Sequence, residues 1–391
     1  MPVFRQGDVP HPPTGIPEHS DEVYTQKGFF GDWVHIYRRH NAGVPTRWSS
    51  DDIMFCGVDT GRVEPSDLRD ATGEPTCLLE GDGIRVLLSR RAHAMPFCEK
   101  NTDYNQIRFY HRGEFAIETE LGPLSASAGD FVVVGKGLAF RERPSTDDNA
   151  VLIFEVAEEI ACADDAMWDA VGFVSMFVDF SNMVLPIPGS GSSADGETDV
   201  RTWADGAYHT LTYDFDPTQD VTGWVGDPVI FKMNVWDVPA PGTSRGFLPP
   251  PAHAVLMSES KSWFFNVLVP PPSPAQPSPD GSFGAPAHQN DYDEVWFNHA
   301  SDFLPHNVGH MWLFPRTLPH PGFKREPSHP PNPVRRYNEV KINFDTKAKL
   351  RVTPEARAAT LEGDIRRNVF LSLYGMPPEV VDVRIPEEEG S

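Results

Sequence analysis

Short apolar runs, separated by turns rich in glycine and proline, recur along most of this chain. Many of the runs are β-branched or aromatic, and several alternate apolar with polar positions, which is typical of β-strands. Their spacing predicts an all-β protein built from sandwich or jelly-roll sheets. The runs lie at 33–38, 84–89, 107–110, 115–120, 131–134, 151–156, 229–236, 263–269, 294–297, 311–314 and 340–344.

Helical patterns are rare by comparison. Residues 164–171 predict a short helix, and a clearer helix begins near the C-terminus, where Thr353 suits the N-cap and Pro354 the first turn. Apolar residues at helical spacing continue that second pattern to about residue 373. Between the two strand series, the Gly- and Ser-rich stretch 186–199 predicts a flexible connection.

Composition narrows the class of protein. The 33 basic and 56 acidic residues give a formal net charge of −23, which argues against nucleic acid or an anionic membrane surface as a partner. The four cysteines have no CxxC spacing, as expected of reduced thiols in the cytosol. No segment has the apolar length of a signal peptide or a membrane span. We therefore expect a soluble cytoplasmic protein.

The strongest chemical signal is a histidine, glutamate and histidine in one segment of the second strand series. His288 and Glu294 lie in H-Q-N-D-Y-D-E, and His320 follows the strand-like run M-W-L-F. Two imidazoles and one carboxylate on a rigid sheet can hold one face of Fe(II), which leaves the other face open for oxygen and substrate. The sequence therefore predicts a metal site at these three residues.

The spacing around these residues resembles the two metal-binding motifs of the cupin family. Gly309, Pro315 and His320 match the second motif, G-x5-P-x-G-x2-H, and Thr317 replaces its inner glycine. His288 and Glu294 match the first motif, in which Asn290 replaces the second histidine. The three remaining ligands are the number that a 2-His-1-carboxylate iron site needs.

The first half of the chain has the same motif spacing but lacks the ligand residues. Its motif runs from Gly129 to Phe140, so a phenyl ring stands where the second half has its histidine. We therefore predict two cupin or jelly-roll half-barrels. Residues 1–185 would form an irregular N-terminal arm and a metal-free barrel, and residues 200–391 a metal-binding barrel with a short C-terminal helix.

Over most of its length the chain also resembles the homogentisate 1,2-dioxygenase family. The resemblance implies a non-haem Fe(II) enzyme with His288, Glu294 and His320 as iron ligands, and a homo-oligomer, either a trimer or a hexamer. It implies cleavage of a dihydroxylated aromatic ring with O2. The segments that carry it are 1–10, 28–40, 110–134, 224–238, 249–253, 293–297 and 318–322.

Two departures from the family concern the substrate. Phe247 and Phe314 stand where the family has active-site histidines, and a phenyl ring cannot accept a phenol proton as an imidazole does. With Phe297 they would form an apolar lining, although ordinary core packing explains such residues equally well. We expect a substrate less polar than homogentisate.

The general base then has to be another residue. His253, His310 and His299 are the candidates for proton transfer. Arg316 follows the run that leads to the last ligand and could pair with a substrate carboxylate, unless it is an ordinary surface arginine.

Two other classes of function remain open at the level of sequence. A cupin with this triad could be an isomerase, an epimerase or another oxygenase that uses the metal as a Lewis acid. It could also be a non-catalytic two-barrel binding or storage protein. The metal that binds, and any uptake of oxygen, would separate the three classes.

Overall fold

The computed structural model describes residues 4–7, 20–28, 31–39, 49–162, 180–189, 195–238, 254–268, 287–301, 307–316, 318–320 and 339–361. Strands dominate these residues, which confirms the all-β prediction. The α-helix among them is the five-residue α1, Pro354–Ala358. No helix in this part of the chain has the length and hydropathy needed to cross a membrane.

The helix α1 begins as predicted but is shorter than predicted. The Thr353 hydroxyl caps it by accepting the Ala356 N–H at 3.3 Å. It ends at Ala358, because Thr360 turns away to form a β-bridge with Val58. The rest of the predicted helix, and the predicted helix at 164–171, lie outside the described residues.

The strands form four sheets, in which neighbouring strands follow one another in the order named. Sheet 1 contains β19 (Ala287–Gln289), β1 (Ser20–Thr25) and β2 (Trp33–Arg38). Sheet 2 contains β16 (Ile230–Asn234), β10 (Asp130–Val134), β7 (Asn105–Arg112), β12 (Ala150–Val156), β5 (Ile84–Ser89), β4 (Thr76–Gly81) and β23 (Arg351–Val352).

Sheet 3 contains β15 (Ala207–Phe215), β14 (Asp195–Ala204), β6 (Cys98–Asn101), β11 (Phe140–Pro144), β8 (Phe115–Thr119) and β9 (Leu124–Ala126). Sheet 4 contains β13 (Ile160–Cys162), β17 (Ala254–Ser258), β18 (Trp263–Leu268), β22 (Glu339–Thr346), β20 (Asp293–Ser301), β21 (His310–Phe314) and β3 (Cys56–Asp59). The strand β14 begins inside the stretch predicted to be a flexible connection, so that prediction is wrong from residue 195 onward.

The largest core lies between sheets 2 and 4. The Phe154 ring on β12 packs against Phe265 and Phe344 of sheet 4, with ring centroids 5.5 and 5.0 Å apart. Phe109 on β7 meets Phe297 on β20 in the same layer, at 6.1 Å. Because side chains alternate across a strand, burying this face of sheet 4 directs the other residues of β20, β21 and β22 to the opposite face.

All four sheets contain strands from both sides of the boundary predicted between the two halves. The early strands β3 and β13 belong to sheet 4, and the late strands β16 and β23 belong to sheet 2. The division at 1–185 and 200–391 stays a prediction, but the sheets exchange strands across it. Exchanged strands add backbone hydrogen bonds between the halves, so we expect them to unfold together.

An internal repeat relates sheets 2 and 4. The sequence D-Y-N-Q-I-R-F-Y-H at 103–111 aligns without a gap to D-Y-D-E-V-W-F-N-H at 291–299, and it shares the first two residues, the phenylalanine and the final histidine. Gly129 and Gly309 open the next matching segment, with φ values of 90° and 83° that favour glycine in both. The repeat places equivalent residues of the two halves in contact, as Phe109 and Phe297 show.

Candidate metal centre

The three predicted ligands come together in the structure. His288 and His320 form an antiparallel β-bridge, in which each backbone N–H donates to the other residue's carbonyl oxygen at 2.9 and 3.0 Å. Their ring centroids lie 4.4 Å apart. Glu294 is contributed by β20, and all three side chains are buried, with 5%, 6% and 1% exposure for His288, His320 and Glu294.

The donor atoms fit a metal ion. The Glu294 Oε2 atom lies 2.6 Å from His320 Nε2 and 3.5 Å from His288 Nε2. Two donor atoms that bind one transition metal at a right angle, each about 2.1 Å from it, lie about 3 Å apart. Among the described residues, these three form the one group of His, Cys, Asp or Glu side chains close enough to share an ion.

Neighbouring groups fix the charge and orientation of the ligands. Burial raises the pKa of Glu294, but the adjacent His320 and His288 imidazoles lower it by more, so its pKa lies well below the usual range and the carboxylate stays ionised. The Leu318 carbonyl can only accept, so His320 Nδ1 carries the proton of their 3.2 Å hydrogen bond. With the Nδ1 proton engaged by Leu318, Nε2 is the His320 atom that would bind a metal, in place of its contact with Glu294.

The strand β1 from the N-terminal part of the chain supports the site from one side. It pairs in parallel with β19, which places Val23 opposite His288. Glu22, on the same strand, is buried and forms an ion pair with Arg38 at 2.8 Å. The segment that the sequence suggested was an irregular arm thus holds the ligand strand in place.

Phe314 lies beside the ligands, as its predicted role requires. Its strand pairs it with Glu294, and its ring stacks on His320 with centroids 4.6 Å apart and an interplanar angle of 27°. Trp296 packs against Phe314 at 5.0 Å and donates its indole N–H to Glu294 Oε1. Aromatic rings therefore enclose one side of the site, and contact with a substrate stays a prediction.

The structure places other predicted site residues away from the ligands. Phe297 lies on the opposite face of β20, inside the core between sheets 2 and 4, because it follows Glu294 by an odd number of residues. Arg316 forms an ion pair with Asp293 at 2.9 Å and donates to the Lys347 carbonyl, which engages the guanidinium that was expected to face a substrate.

The candidate bases are spread widely. His310 shares the face of β21 with Phe314, but about 13 Å of extended chain separates their Cα atoms. His299 packs between sheets 2 and 4 against Phe109 and His111. Phe247 and His253 lie outside the described residues, as does Thr317. The base therefore stays unassigned among these histidines.

Three polar residues of the site went unnoticed in the sequence. Asn343 and Asp345 on β22, with Asn266 on β18, form a buried network that reaches Glu294. Burial first, and the nearby Glu294 carboxylate second, raise the pKa of Asp345 well above its usual value. The alternation of polar and apolar residues in V-K-I-N-F-D-T was the available signal, since it indicates a strand with one polar inner face.

In the first half of the chain an ion pair occupies the equivalent place. Gln106 replaces Glu294 in the repeat, and Phe140 stands at the position of His320. The Arg108 guanidinium lies over the Phe140 ring, 4.8 Å from its centroid, and donates to both oxygens of Glu142 at 3.0 and 2.8 Å. A guanidinium thus supplies the buried positive charge at this place, and a metal-free first half stays a prediction.

Comparison with known proteins finds no match to a family model. One curated protein, A-type ATP synthase subunit I of Halobacterium salinarum, is 27% identical over 164 residues, which is 42% of this chain. The matched segment spans 21% of that relative, so the relative's activity says nothing of this chain.

Among solved structures, the chain is similar to a putative glyoxylate induced protein from Pseudomonas aeruginosa, with a TM-score of 0.35 and 9% identity, over 80% of this chain and 97% of the other. It is also similar to a cupin 2 conserved barrel domain protein from Leptotrichia buccalis, with a TM-score of 0.34 and 10% identity, over 74% of this chain and 96% of the other. Protein Ylba from E. coli gives 0.32 and 7%, over 76% and 93%. Likeness at this level assigns no function.

Proposed function

We propose that this chain is a cupin-type metalloenzyme that holds Fe(II) on His288, Glu294 and His320 and cleaves the ring of a dihydroxylated aromatic compound with O2. One observation carries the proposal. Two imidazole nitrogens and one carboxylate oxygen converge in a buried site lined by aromatic rings. The Glu294 Oε2 atom lies 2.6 Å from His320 Nε2 and 3.5 Å from His288 Nε2. This donor set with open positions is characteristic of non-haem iron oxygenases.

The protein's own groups suit that chemistry. Bound Fe(II) would supply a centre at which an aromatic diol and O2 are brought together. Glu294 is the one carboxylate among the three proposed ligands, so the net charge of the site stays low and an anionic substrate oxygen can still bind. The rings of Phe314 and Trp296 exclude water from one side, which strengthens electrostatic interactions at the centre.

The proposed substrate class follows from the sequence resemblance and its departures. The homogentisate 1,2-dioxygenase family shares the ligand segment, which supports an aromatic diol as the substrate. Phe314 contacts His320 through an apolar ring where that family has a histidine, so the substrate edge above it should be apolar. We therefore expect a hydroquinone-like ring that is less polar than homogentisate, acted on by a homo-oligomer.

Anaerobic reconstitution tests the proposal directly. The purified protein is loaded with Fe(II), its metal content is measured, and oxygen uptake is screened with homogentisate, gentisate, alkylhydroquinones and aminophenols. We expect one iron per chain and oxygen uptake with at least one of these rings. His320→Ala should lose iron, whereas His209→Ala, at an exposed position on β15, should retain it.

The same experiment separates the other classes of function. Zinc or manganese without oxygen uptake would favour a Lewis-acid isomerase. Failure to retain any metal would favour a binding or storage protein and would overturn the proposed iron site.

A further inference from the structure

The two carboxylate oxygens of Glu294 have different surroundings. The Oε2 atom faces His320 Nε2 and His288 Nε2, at 2.6 and 3.5 Å. The Oε1 atom accepts two hydrogen bonds, from Asn343 Nδ2 and from Trp296 Nε1, both at 2.5 Å. One oxygen is thus directed to the imidazoles, and the other is held by amide and indole N–H groups.

The hydrogen bonds on Oε1 restrict what that atom can bind. Both bonds have a charged acceptor, which places them among the stronger hydrogen bonds in proteins. A carboxylate oxygen has about two lone-pair sites, and two N–H donors occupy both. A metal ion would have to displace one of them to reach Oε1.

We propose that Asn343 is a positioning residue that restricts Glu294 to a single coordinating oxygen, Oε2. The inference rests on the proposed metal site, and it specifies how many coordination positions of the metal ion the protein leaves open. With one oxygen from Glu294 and one nitrogen from each histidine, an octahedral ion keeps three open positions. Coordination through both oxygens would leave only two.

The difference matters for the substrate class. A substrate that binds through two adjacent oxygens, such as an ortho-diol or a ring hydroxyl beside a carboxylate group, fills two positions, and O2 needs a third. A singly coordinating Glu294 therefore admits such a chelating substrate and O2 together, whereas a doubly coordinating one would exclude one of them. Asn343 would thus decide whether the site can accept a chelating substrate.

Hydrogen bonds on the side of the Asn343 amide that faces away from Glu294 fix its orientation. Its Oδ1 atom accepts from Asn266 Nδ2 at 2.5 Å, and the same Nδ2 donates to Asp345 Oδ2 at 2.7 Å. Because Asn266 presents a donor, the Asn343 amide has to place its oxygen toward Asn266 and its nitrogen toward Glu294. A flipped amide would face Glu294 with an oxygen, and two acceptors would repel each other.

Burial makes this chain of amides rigid. Asn266, Asn343 and Asp345 are exposed by 0%, 1% and 1%, so little water can compete for their hydrogen bonds. The three residues come from the neighbouring strands β18 and β22, which pair Asn266 directly with Asn343. Buried polar networks of this kind hold a ligand more firmly than a single hydrogen bond does.

The experiment uses the full chain loaded with Mn(II), without substrate or O2. The number of metal-bound water molecules is obtained from the broadening of the Mn(II) EPR lines in 17O-enriched water, and the metal dissociation constant from calorimetric titration. We expect three bound waters in the wild type and two in Asn343→Leu, whose freed Oε1 can bind the metal. Metal affinity should change by about 10- to 100-fold, the usual effect of removing a group that supports a metal ligand.

Two further variants separate positioning from general destabilisation. Asn266→Leu does not touch Glu294 but frees the Asn343 amide to flip, so it should reduce the water count in the same direction. Trp296→Phe removes the second donor to Oε1 while keeping an aromatic ring. It takes the place of Asn343→Leu in the water count if that variant fails to fold. Asn298→Leu is the matched control, since this buried asparagine lies on β20 outside the amide chain, and its water count should equal that of the wild type.

The outcomes distinguish this inference from the proposed function. If Asn343→Leu and Trp296→Phe keep the water count and metal affinity of the wild type, the inference is overturned and the metal site stands. If the wild type binds no metal, both fall. If the Asn343 effect appears but no aromatic diol supports oxygen uptake, only the ring-cleaving function is overturned.

Discussion

The Nδ1 atom of His111 lies 3.0 Å from the Nδ1 atom of His299, at the contact between sheets 2 and 4. One ring has to donate and the other to accept, so the accepting ring is neutral in this arrangement. The two histidines occupy matching positions of the internal repeat, next to the contact of Phe109 with Phe297. They therefore mark the place where the two halves of the chain meet.

This pair should make the protein sensitive to acid. Burial lowers the pKa of His111 to about 3, with the charge of His299 adding to the effect, and burial lowers the pKa of His299 to about 4. An unfolded histidine titrates near pH 6.5, so below that pH the unfolded state binds more protons. Stability should fall as the pH decreases from about 6.5 toward about 4, by up to about 1.4 kcal/mol per pH unit for each histidine.

Urea unfolding at pH 7, 6 and 5 measures this dependence. Replacing both histidines in a His111→Phe, His299→Phe variant should flatten it, because neither side chain then takes up a proton on unfolding. The control His209→Phe, at an exposed position, should keep the slope of the wild type. An equal slope in all three proteins would show that other groups cause the acid sensitivity.

The ion pair inside the first half should contribute strongly to stability but not to metal binding. Arg108 and Glu142 are both buried, and the Tyr110 hydroxyl also donates to Glu142. Arg108→Met leaves that carboxylate uncompensated, which typically costs about 3–5 kcal/mol. The loss is measured by urea unfolding, and calorimetric titration with Mn(II) should give an unchanged stoichiometry in the folded fraction.

A surface pair provides the comparison. Arg143 contacts Glu118 at 3.0 Å, but its side chain is 45% exposed. Arg143→Met should therefore cost no more than about 1 kcal/mol. A similar loss of unfolding free energy in Arg108→Met and Arg143→Met would mean that burial does not increase the contribution of the Arg108 ion pair to stability.

Phe314 should control the choice of aromatic substrate. Its ring lies against His320 at the position where the homogentisate 1,2-dioxygenase family has a histidine. With the wild type, homogentisate should turn over poorly compared with at least one less polar hydroquinone. Phe314→His supplies an imidazole, and groups that assist proton transfer typically contribute about 10²–10⁴-fold, so kcat/KM for homogentisate should rise.

Oxygen uptake with the two substrates measures that preference, and Phe314→Leu is its control. Leucine keeps the position apolar and should not improve turnover of homogentisate. Efficient turnover of homogentisate by the wild type would contradict the argument from Phe314.

Much of the fold was predictable from local patterns. The predicted run at 33–38 coincides with β2, and the runs at 84–89, 131–134 and 151–156 lie within or coincide with β5, β10 and β12. These strands were predictable because a short run of apolar residues bounded by turn residues is a local property of the sequence. The strands β1, β14 and β15 were missed, since polar residues dominate β1 and β14, most of β15 is exposed, and pairing with neighbouring strands decides their conformation.

The site residues divide in the same way. His288, Glu294 and His320 were recognisable because their chemistry and spacing are rare together. Phe297 was predicted to line the site, but it lies on the core face of β20. The sequence predicted the strand without deciding which of its residues share a face with Glu294, and a shift of one residue moves a side chain to the other face.

The sequence by itself determined where the strands run and which side chains can bind a metal, since both depend on residue types within a few positions. Only the tertiary structure decided which oxygen of Glu294 faces the histidines. The other oxygen accepts from Trp296 and from Asn343, and the Asn343 amide, 49 residues away along the chain, reaches Glu294 only because β20 and β22 pair in one register. A contact between distant segments depends on strand pairing over the whole sheet, and no local pattern encodes it.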